Sequence, residues 1–149
     1  MTVPINFYYC TRIGPVIDKL RLQMSKKVQY TLEYTVRCSP GILYEFLSTP
    51  AGLQEWFADR VDLRDNLFSF SWNGTTEKAE LLEKGDDVFV KFRWQASALD
   101  EFFEFRIQVS EVTSETVLLI KDFAEKKEIT DQSQLWDYQV KDLLRRIGS

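Results

Sequence analysis

The sequence predicts an α+β fold: a curved antiparallel sheet of about six to seven strands wrapped round a long C-terminal helix, with two short helices after the first strand. Three observations predict it. Residues 28–36 alternate apolar and polar side chains, as a half-buried strand does. Two proline-initiated helix signals follow directly, at residues 39–40 and 49–50. After a long run of alternating segments, residues 135–147 switch to the helical period.

The composition narrows the possible functions before any motif is considered. The chain has 149 residues, a length typical of one domain, and 44% hydrophobic residues, enough for a sizeable core. It contains no histidine, which excludes a Ser-His-Asp or Cys-His catalytic arrangement and an imidazole metal ligand. The net charge of −4 argues against a nucleic-acid partner, because phosphate binding needs clustered Lys and Arg. We therefore expect no catalytic residue, no cofactor and no metal site.

The first part of the chain is predicted to be an extension. Residues 1–24 follow neither a strand nor a helix period, and polar residues such as Arg12 and Asp18 interrupt their apolar stretch. Neither a signal peptide nor a membrane-spanning helix fits this pattern, so we expect a cytoplasmic protein without a membrane span. With two cysteines in the chain, both thiols are predicted to be free. The predicted organisation is an N-terminal extension over residues 1–24 and one domain over residues 25–149.

The first strand and the two short helices have clear local signals. One face of the strand carries five apolar residues, Val28, Tyr30, Leu32, Tyr34 and Val36. Ser39 can accept a backbone N–H at the start of the first helix, and Pro40 suits the next position, where its missing donor costs nothing. Thr49 and Pro50 repeat this signal, so a second short helix follows at once.

The middle of the chain predicts a meander of antiparallel strands. Asn73 and Gly74 accept the two positive φ angles of a type I′ turn, which predicts a hairpin between residues 68–72 and 75–83. Apolar and polar side chains alternate again along three further segments, residues 88–94, 102–109 and 116–123. Because these segments follow one another along the chain, neighbouring strands are predicted to pair in sequence order.

The last segment is predicted to be the helix that covers the sheet. Its apolar residues form one stripe, Leu135, Trp136, Val140, Leu143, Leu144 and Ile147. Asp131 and Gln134 resemble a capping box at its start, and Gly148 supplies a left-handed end. A twisted sheet with one apolar face must bury that face, and among the predicted elements this helix alone is long enough to do so.

The residues around the two short helices also resemble those of a known family. The motif consists of Ser39-Pro40, Leu43-Tyr44, Phe46-Leu47, Ser48-Thr49-Pro50, Leu53 and Trp56-Phe57. It resembles the START-like (SRPBCC, helix-grip) superfamily, and most closely the branch named for the activator of the heat-shock-protein-90 ATPase. The resemblance covers residues 26–148 and implies a helix-grip domain. In such proteins the sheet and the final helix commonly enclose a cavity for an apolar ligand, while some members are enzymes and others bind proteins.

The cavity that the resemblance implies would be lined by residues of the alternating strands and of the helix stripe. The predicted ligand-binding residues are Phe70, Trp72, Phe92, Trp94, Phe103, Phe105, Trp136, Val140 and Leu144. The same aromatic side chains fit a solid core equally well, because aromatic rings fill volume efficiently. The indole N–H groups need partners when buried, either an acceptor on a ligand or a backbone carbonyl. The sequence leaves both alternatives open.

Trp56 and Phe57 end the second predicted helix, where helix-grip proteins tend to have one mouth of the cavity. We interpret them as candidate mouth residues. The alternative is a packing anchor that fastens the two short helices to the edge of the sheet.

The charged residues near the strands are predicted to lie on the solvated face of the sheet. This set contains Glu33, Asp59, Arg60, Glu80, Arg93, Glu104 and Asp122. They are expected to form cross-strand pairs in water. A catalytic carboxylate would need burial and a shifted pKa, which residue spacing does not indicate.

Three functions are compatible with these patterns. The first is a non-catalytic domain that binds a small apolar molecule between the sheet and the C-terminal helix. The second is a co-chaperone-like module that binds a protein partner through an exposed apolar face. The third is an enzyme of the cyclase or hydrolase type, which needs an Arg, Asp, Glu or Tyr inside the cavity. The sequence leaves the oligomeric state open.

Overall fold

The computed structural model describes residues 27–148. The strands are β1 (Lys27–Val36), β2 (Arg60–Arg64), β3 (Leu67–Trp72), β4 (Thr75–Gly85), β5 (Phe89–Trp94), β6 (Phe103–Val109) and β7 (Thr116–Glu125). The helices are α1 (Pro40–Ser48), α2 (Pro50–Trp56) and α3 (Ile129–Ile147), the last preceded by a 3₁₀ turn over Lys126–Glu128. Among these residues no helix has the length and apolarity needed to cross a membrane.

The described strands form one antiparallel sheet in the order β1-β7-β6-β5-β4-β3-β2. The strands from β2 to β7 pair in sequence order, and β1 joins the sheet beside β7. The helices α1 and α2 occupy the connection between the two edge strands β1 and β2. The predicted fold class, a helix-grip arrangement of a large antiparallel sheet and a long C-terminal helix, is therefore confirmed.

The two short helices begin at the predicted caps. The Ser39 hydroxyl accepts a hydrogen bond from the backbone N–H of Ile42 at 3.4 Å, and that of Thr49 accepts one from the backbone N–H of Gly52 at 3.0 Å. A Cβ atom on Gly52 would lie 2.1 Å from the carbonyl oxygen of Glu45, so the backbones of α1 and α2 approach more closely than any side chain would allow. Position 52 therefore requires glycine for this close approach.

The β3–β4 hairpin turns through the predicted Asn-Gly pair. Asn73 has a φ angle of 50° and Gly74 one of 83°, the two positive values that a type I′ turn requires. The turn sets the register in which Trp72 lies opposite Thr75 and Phe70 opposite Glu77. This register directs the apolar residues of β3 to the buried face of the sheet.

The predicted start of α3 is wrong by three residues. The helix begins at Ile129 and its N-cap is Glu128, whose side chain makes no capping hydrogen bond. Asp131 and Gln134, the predicted capping box, instead lie inside the helix. The physical reason is the 3₁₀ turn, which runs directly into α3 with helical backbone angles at Glu128, so the chain makes no extended N-cap turn at Asp131. The negative charge of Asp131 still lies in the first turn, where the helix dipole favours it.

The other end of α3 matches the prediction. Gly148 has a φ angle of 84°, and its N–H donates to the carbonyl oxygens of Leu144 at 3.0 Å and Arg145 at 3.2 Å. The buried face of α3 carries the predicted Trp136, Val140 and Leu143, and it also buries two glutamines, Gln132 and Gln139. These two glutamines place polar groups in an otherwise apolar interface.

Candidate functional site

The predicted ligand-binding residues come together between the inner face of the sheet and α3. Strands β3, β5 and β6 supply Phe70, Trp72, Phe92, Trp94, Phe103 and Phe105, and α3 supplies Trp136, Val140 and Leu144. All of them are buried except Leu144, which is partly buried at the margin of the core. Their rings contact one another directly, as between Trp94 and Phe103, whose centroids lie 5.1 Å apart.

Phe57 lies at the centre of this aromatic cluster. Its ring centroid lies 5.0 Å from that of Phe70 and 5.8 Å from that of Trp72, both nearly perpendicular to it. It stacks at 6.0 Å on Phe103 and at 6.0 Å on Trp136, with interplanar angles of 26° and 21°. The Phe57 ring therefore contacts both strand and helix residues of the predicted site, and it occupies the space between them.

The backbone of Phe57 is held from three sides. Its N–H donates to the carbonyl oxygen of Leu53 at 2.8 Å within α2. Its carbonyl oxygen accepts two hydrogen bonds, from the indole Nε1 of Trp72 at 2.8 Å and from the side-chain Nε2 of Gln139 at 3.2 Å. The neighbouring Trp56 donates its indole N–H to the carbonyl oxygen of Phe46 at 2.8 Å. The end of α2 is thus fastened to α1, β3 and α3 at once.

An open groove of about 310 Å³ lies at this end of α2, against the C-terminal half of α3. It is lined by Gln54, Glu55, Trp56, Phe57, Ala58, Asp59, Trp72, Gln139, Asp142 and Arg146. We call it the α2–α3 groove. Both predicted mouth residues, Trp56 and Phe57, lie in its wall. Its rim is charged, with Arg146 lying 3.9 Å from the carboxylate of Glu55.

A second feature of the inner face was not expected from the sequence. Asp122 lies on β7 and is partly exposed, but its carboxyl group is on the inner face of the sheet, where Oδ2 accepts a hydrogen bond from the indole Nε1 of Trp136 at 3.0 Å. Its Oδ1 accepts one from the backbone N–H of Phe123 at 2.7 Å. Burial raises the pKa of Asp122 from 3.8 to about 7, although these hydrogen bonds and the charge of Lys27 act in the opposite direction.

The predicted position of Asp122 on the solvated face is therefore wrong. Residues at even positions of β7, including Leu118 and Ile120, face the core, and Asp122 continues that series. The alternation that identifies the apolar face also assigns Asp122 to it, so the signal was present in the sequence.

Tyr30 and Gln132 lie beside this contact. Tyr30 is directly opposite Asp122 in the register of β1 and β7, and its hydroxyl donates to Oε1 of Gln132 at 3.1 Å. Gln132 lies one helical turn before Trp136, and its side chain is 3% exposed. Its Nε2 is buried and has no hydrogen-bond partner among residues 27–148, a situation that costs about 1–3 kcal/mol. We call Tyr30, Asp122, Gln132 and Trp136 the inner polar cluster.

A buried ion pair flanks the inner polar cluster. Nζ of Lys27 lies 3.2 Å from Oε1 of Glu101, and the two side chains are 5% and 4% exposed. Both charges act on Asp122, since Lys27 lowers its pKa and Glu101 raises it. Both effects are smaller than those of burial and of the two hydrogen bonds, and burial has the largest influence on the pKa of Asp122.

The remaining charged residues follow the prediction in part. Arg93 pairs with Glu80 across β4 and β5 at 3.7 Å on the solvated side, as expected. Glu104 is also paired, with Arg106 at 3.1 Å and Lys121 at 3.9 Å, but its side chain is just 5% exposed. The expectation of a solvated Glu104 is therefore wrong.

Two further residues of this set, Arg60 and Asp59, make polar contacts other than cross-strand ion pairs. Arg60 pairs with Asp62 at 3.4 Å within β2 and not across strands. Asp59 accepts a hydrogen bond from the backbone N–H of Asn73 at 3.1 Å, which braces the β3–β4 turn. Glu33 is exposed on β1, as expected. Within residues 27–148, no group of three or more Cys, Asp or Glu side chains is placed to hold a metal ion.

Sequence reasoning missed Tyr30, Gln132 and Gln139 as site residues. For the two glutamines a signal existed, because positions 132, 136, 139, 140 and 143 share one face of a helix, and a polar residue in that stripe is buried. Tyr30 belongs to the apolar face of β1 that the alternation identifies, but nothing in the spacing shows that its hydroxyl meets Gln132.

The chain belongs to the START-like superfamily, because the family model of the START-like superfamily domain matches residues 24–149. No curated protein matches the chain. Among solved structures, BfR322 from Bacteroides fragilis is 34% identical, with a TM-score of 0.61 over 81% of this chain and 91% of that one. The Aha1 dimer from Colwellia psychrerythraea is 14% identical, with a TM-score of 0.66 over 80% and 96% of the two chains.

MLL2253 from Mesorhizobium loti is comparable, at 16% identity and a TM-score of 0.65 over 79% of this chain and 95% of that one. The resemblance to START-like proteins, with the activator branch among the structural relatives, is thus confirmed. At 14% identity the similarity to Aha1 concerns the fold. The class is a START-like helix-grip domain, a fold that is used for binding ligands or proteins.

Proposed function

We propose that this domain binds a small apolar ligand without catalysing a reaction, in the space between the sheet and α3, and that the ligand reaches this space through the α2–α3 groove. One observation carries the proposal: Phe57 lines the groove on one side and contacts the aromatic cluster on the other. The groove therefore reaches the residues predicted to bind the ligand at two points, at the Phe57 ring and at Trp72, which is one of those residues.

The proposal requires the Phe57 ring to move, because the rings of the cluster are in contact with one another. A ligand that replaces it among the aromatic side chains regains the contacts that the ring gives up. Burying about 200 Å² of apolar ligand surface at about 25 cal/mol per Å² contributes roughly 5 kcal/mol, enough to offset a modest opening cost. The charged rim of the groove stays in water throughout, and the apolar interior supplies the affinity.

The test compares Phe57→Ala with the wild type, using N-phenyl-1-naphthylamine, whose fluorescence rises in apolar surroundings. Removing the ring opens a space among aromatic residues, and such apolar cavities bind aromatic molecules. We expect the variant to bind the probe at least about tenfold more tightly than the wild type, a change of about 1.4 kcal/mol. Phe57→Leu replaces it if the alanine variant does not fold.

Phe102→Ala is the matched control. Phe102 packs on Phe123 at 5.0 Å between ring centroids and lies under the ammonium group of Lys91, on the opposite face of the sheet. This variant removes the same side chain without opening the interior, so its probe affinity should equal that of the wild type. Equal affinities in all three proteins would overturn the proposal.

A second candidate is a protein-binding role, and one observation favours it. Ile42 on α1 and Val88 in the β4–β5 turn are 53% and 44% exposed. The two segments are neighbours, since a Cβ atom on Gly41 would lie 3.7 Å from the carboxylate of Asp87. Because the similar Aha1 structure is described as a dimer, self-association is the form to test first. Sedimentation of the wild type and of the Ile42→Asp/Val88→Asp variant distinguishes a dimer through this surface from a monomer.

The third candidate, an enzyme of the cyclase or hydrolase type, is less well supported. Asp122 places a carboxyl group between the sheet and α3, where an enzyme of this type would need one. Both of its oxygens accept hydrogen bonds from fixed donors, the indole of Trp136 and the backbone of Phe123. Each oxygen can accept a second hydrogen bond, but these two donors fix the orientation of the carboxyl group between β7 and α3. These contacts favour a positioning role for Asp122 over proton transfer.

A further inference from the structure

We propose that the inner polar cluster binds a hydroxyl group of the ligand, so that the ligand is an apolar molecule with a hydroxyl at the end that lies near α3 residue Gln132. This inference rests on the proposed function and deepens it, because it assigns a chemical class to the ligand.

The pairing of β1 with β7 and the helical spacing of α3 bring the four residues of the cluster together. Tyr30 and Asp122 are paired in the register of β1 and β7, and Gln132 and Trp136 are one turn apart on the buried face of α3. One hydrogen bond joins Tyr30 to Gln132 at 3.1 Å, and another joins Trp136 to Asp122 at 3.0 Å. Two hydrogen bonds thus join the helix to the sheet, one from Tyr30 on β1 to Gln132 and one from Trp136 to Asp122 on β7.

One donor in this arrangement is left without an acceptor. The hydroxyl of Tyr30 fixes the orientation of the Gln132 amide by donating to Oε1, which turns Nε2 away from Tyr30. Gln132 is 97% buried, since its exposed fraction is 3%, and within the described part of the chain Nε2 has no partner. Buried polar groups in folded proteins are almost always hydrogen-bonded, so an unpaired amide N–H in a ligand-binding fold indicates a group that is bound there.

The charged residues around Gln132 limit the kind of ligand group that can bind to its Nε2. Above a pH of about 7 the charged Asp122 would repel a ligand carboxylate, whereas an ammonium group offers no acceptor to Nε2 of Gln132 at any pH. A hydroxyl can accept from Nε2 of Gln132 and donate to the carboxyl group of Asp122 at the same time. Lys27 and Glu101, which also act on Asp122, are paired with each other at 3.2 Å, so neither of them offers an isolated charge to a ligand.

The experiment uses two probes of equal shape, 2-naphthol and 2-methylnaphthalene, which differ in a hydroxyl and a methyl group. Isothermal titration calorimetry measures the dissociation constant of each for the wild type and for Gln132→Met, which keeps the volume of the side chain and removes the amide. We expect the wild type to prefer 2-naphthol by about tenfold, the ratio that one net hydrogen bond provides. The preference should disappear in Gln132→Met while 2-methylnaphthalene binds to it as it does to the wild type.

The outcomes separate this inference from the proposed function. Equal affinities of the wild type for both probes would overturn the hydroxyl site but would not contradict the proposed binding of an apolar ligand. Failure of both probes to bind would overturn the proposed function as well. If Gln132→Met does not fold, the side-chain amide resonances of Gln132 in the wild type serve instead: they should shift with 2-naphthol and stay in place with 2-methylnaphthalene, and the absence of a selective shift contradicts the site.

Discussion

The indole N–H of Trp136 donates a 3.0 Å hydrogen bond to the carboxyl group of Asp122 and so joins α3 to β7 across the interior of the domain. The same indole ring stacks on Phe57 at 6.0 Å between centroids. One side chain therefore connects the inner polar cluster with the ring that lines the α2–α3 groove. A substitution in the inner polar cluster or at Phe57 can therefore shift Trp136 and so affect the other site.

The raised pKa of Asp122 predicts a specific pH dependence of stability. Because burial raises its pKa to about 7 from 3.8, the folded protein holds a proton that the unfolded chain releases between these values. The contribution of Asp122 to the free energy of unfolding therefore falls as the pH rises from about 4 to about 7, by up to about 1.4 kcal/mol for each pH unit. Asp122→Asn should lose this slope. Urea unfolding at pH 4.5 and pH 7.5 measures it, and equal slopes in the two proteins would contradict the assignment.

Replacing Trp136 by Phe isolates the hydrogen bond from the ring. The variant keeps an aromatic side chain against Phe57 but leaves Asp122 without the indole donor, so we expect a loss of about 1–3 kcal/mol in the free energy of unfolding. The pKa of Asp122 should rise further, because a hydrogen bond that favours its charged form is gone. Trp94→Phe, which changes a ring of the same cluster without touching Asp122, is the control. A similar cost in both variants would assign the effect to packing alone.

The crossing of α1 and α2 predicts opposite outcomes for two glycines. In Gly52→Ala the new methyl group would lie 2.1 Å from the carbonyl oxygen of Glu45, so the two helices must separate. We expect a loss of about 1–3 kcal/mol or more, as for overpacked cores. In Gly41→Ala the nearest atom lies at 3.7 Å, an ordinary contact, and helix propensity favours alanine. Thermal unfolding should therefore show a lower melting temperature for Gly52→Ala but not for Gly41→Ala.

Gln139→Leu should loosen the end of α2. The variant removes the 3.2 Å hydrogen bond from α3 to the carbonyl oxygen of Phe57 and keeps the one from Trp72. Hydrogen exchange of the Phe57 amide, which is bonded to the carbonyl oxygen of Leu53, should become about tenfold faster, the factor that corresponds to one net hydrogen bond. Gln108→Leu, at the exposed end of β6, is the control and should leave this amide unchanged. Unchanged exchange in Gln139→Leu would show that Gln139 does not restrain Phe57.

The fold was predictable because its local signals agree with one another. The alternation in β1, the capping residues Ser39 and Thr49 and the Asn73–Gly74 turn each specify one element, and the stripe of α3 supplies the cover that the sheet needs. The start of α3 was the exception, since a 3₁₀ turn leaves no distinctive side-chain signal.

The site was less predictable, for physical reasons. Periodicity assigns Phe70, Phe92 and Phe105 to the buried face, but it does not show how densely their rings pack. Phe57 lies just after α2, outside any period, so its central position depends on how α2 is oriented. The contacts of the inner polar cluster join residues about 100 positions apart, such as Tyr30 and Gln132, and no local pattern encodes them.

The most direct test of the central claim is native mass spectrometry of the wild-type protein purified from its own host, compared with Phe57→Ala prepared in the same way. We expect a fraction of the wild-type protein to carry the added mass of one small molecule, and a different fraction of the Phe57→Ala variant to do so. A protein that carries no added mass in either form, and that takes up none of the naphthalene probes when they are supplied, would contradict it.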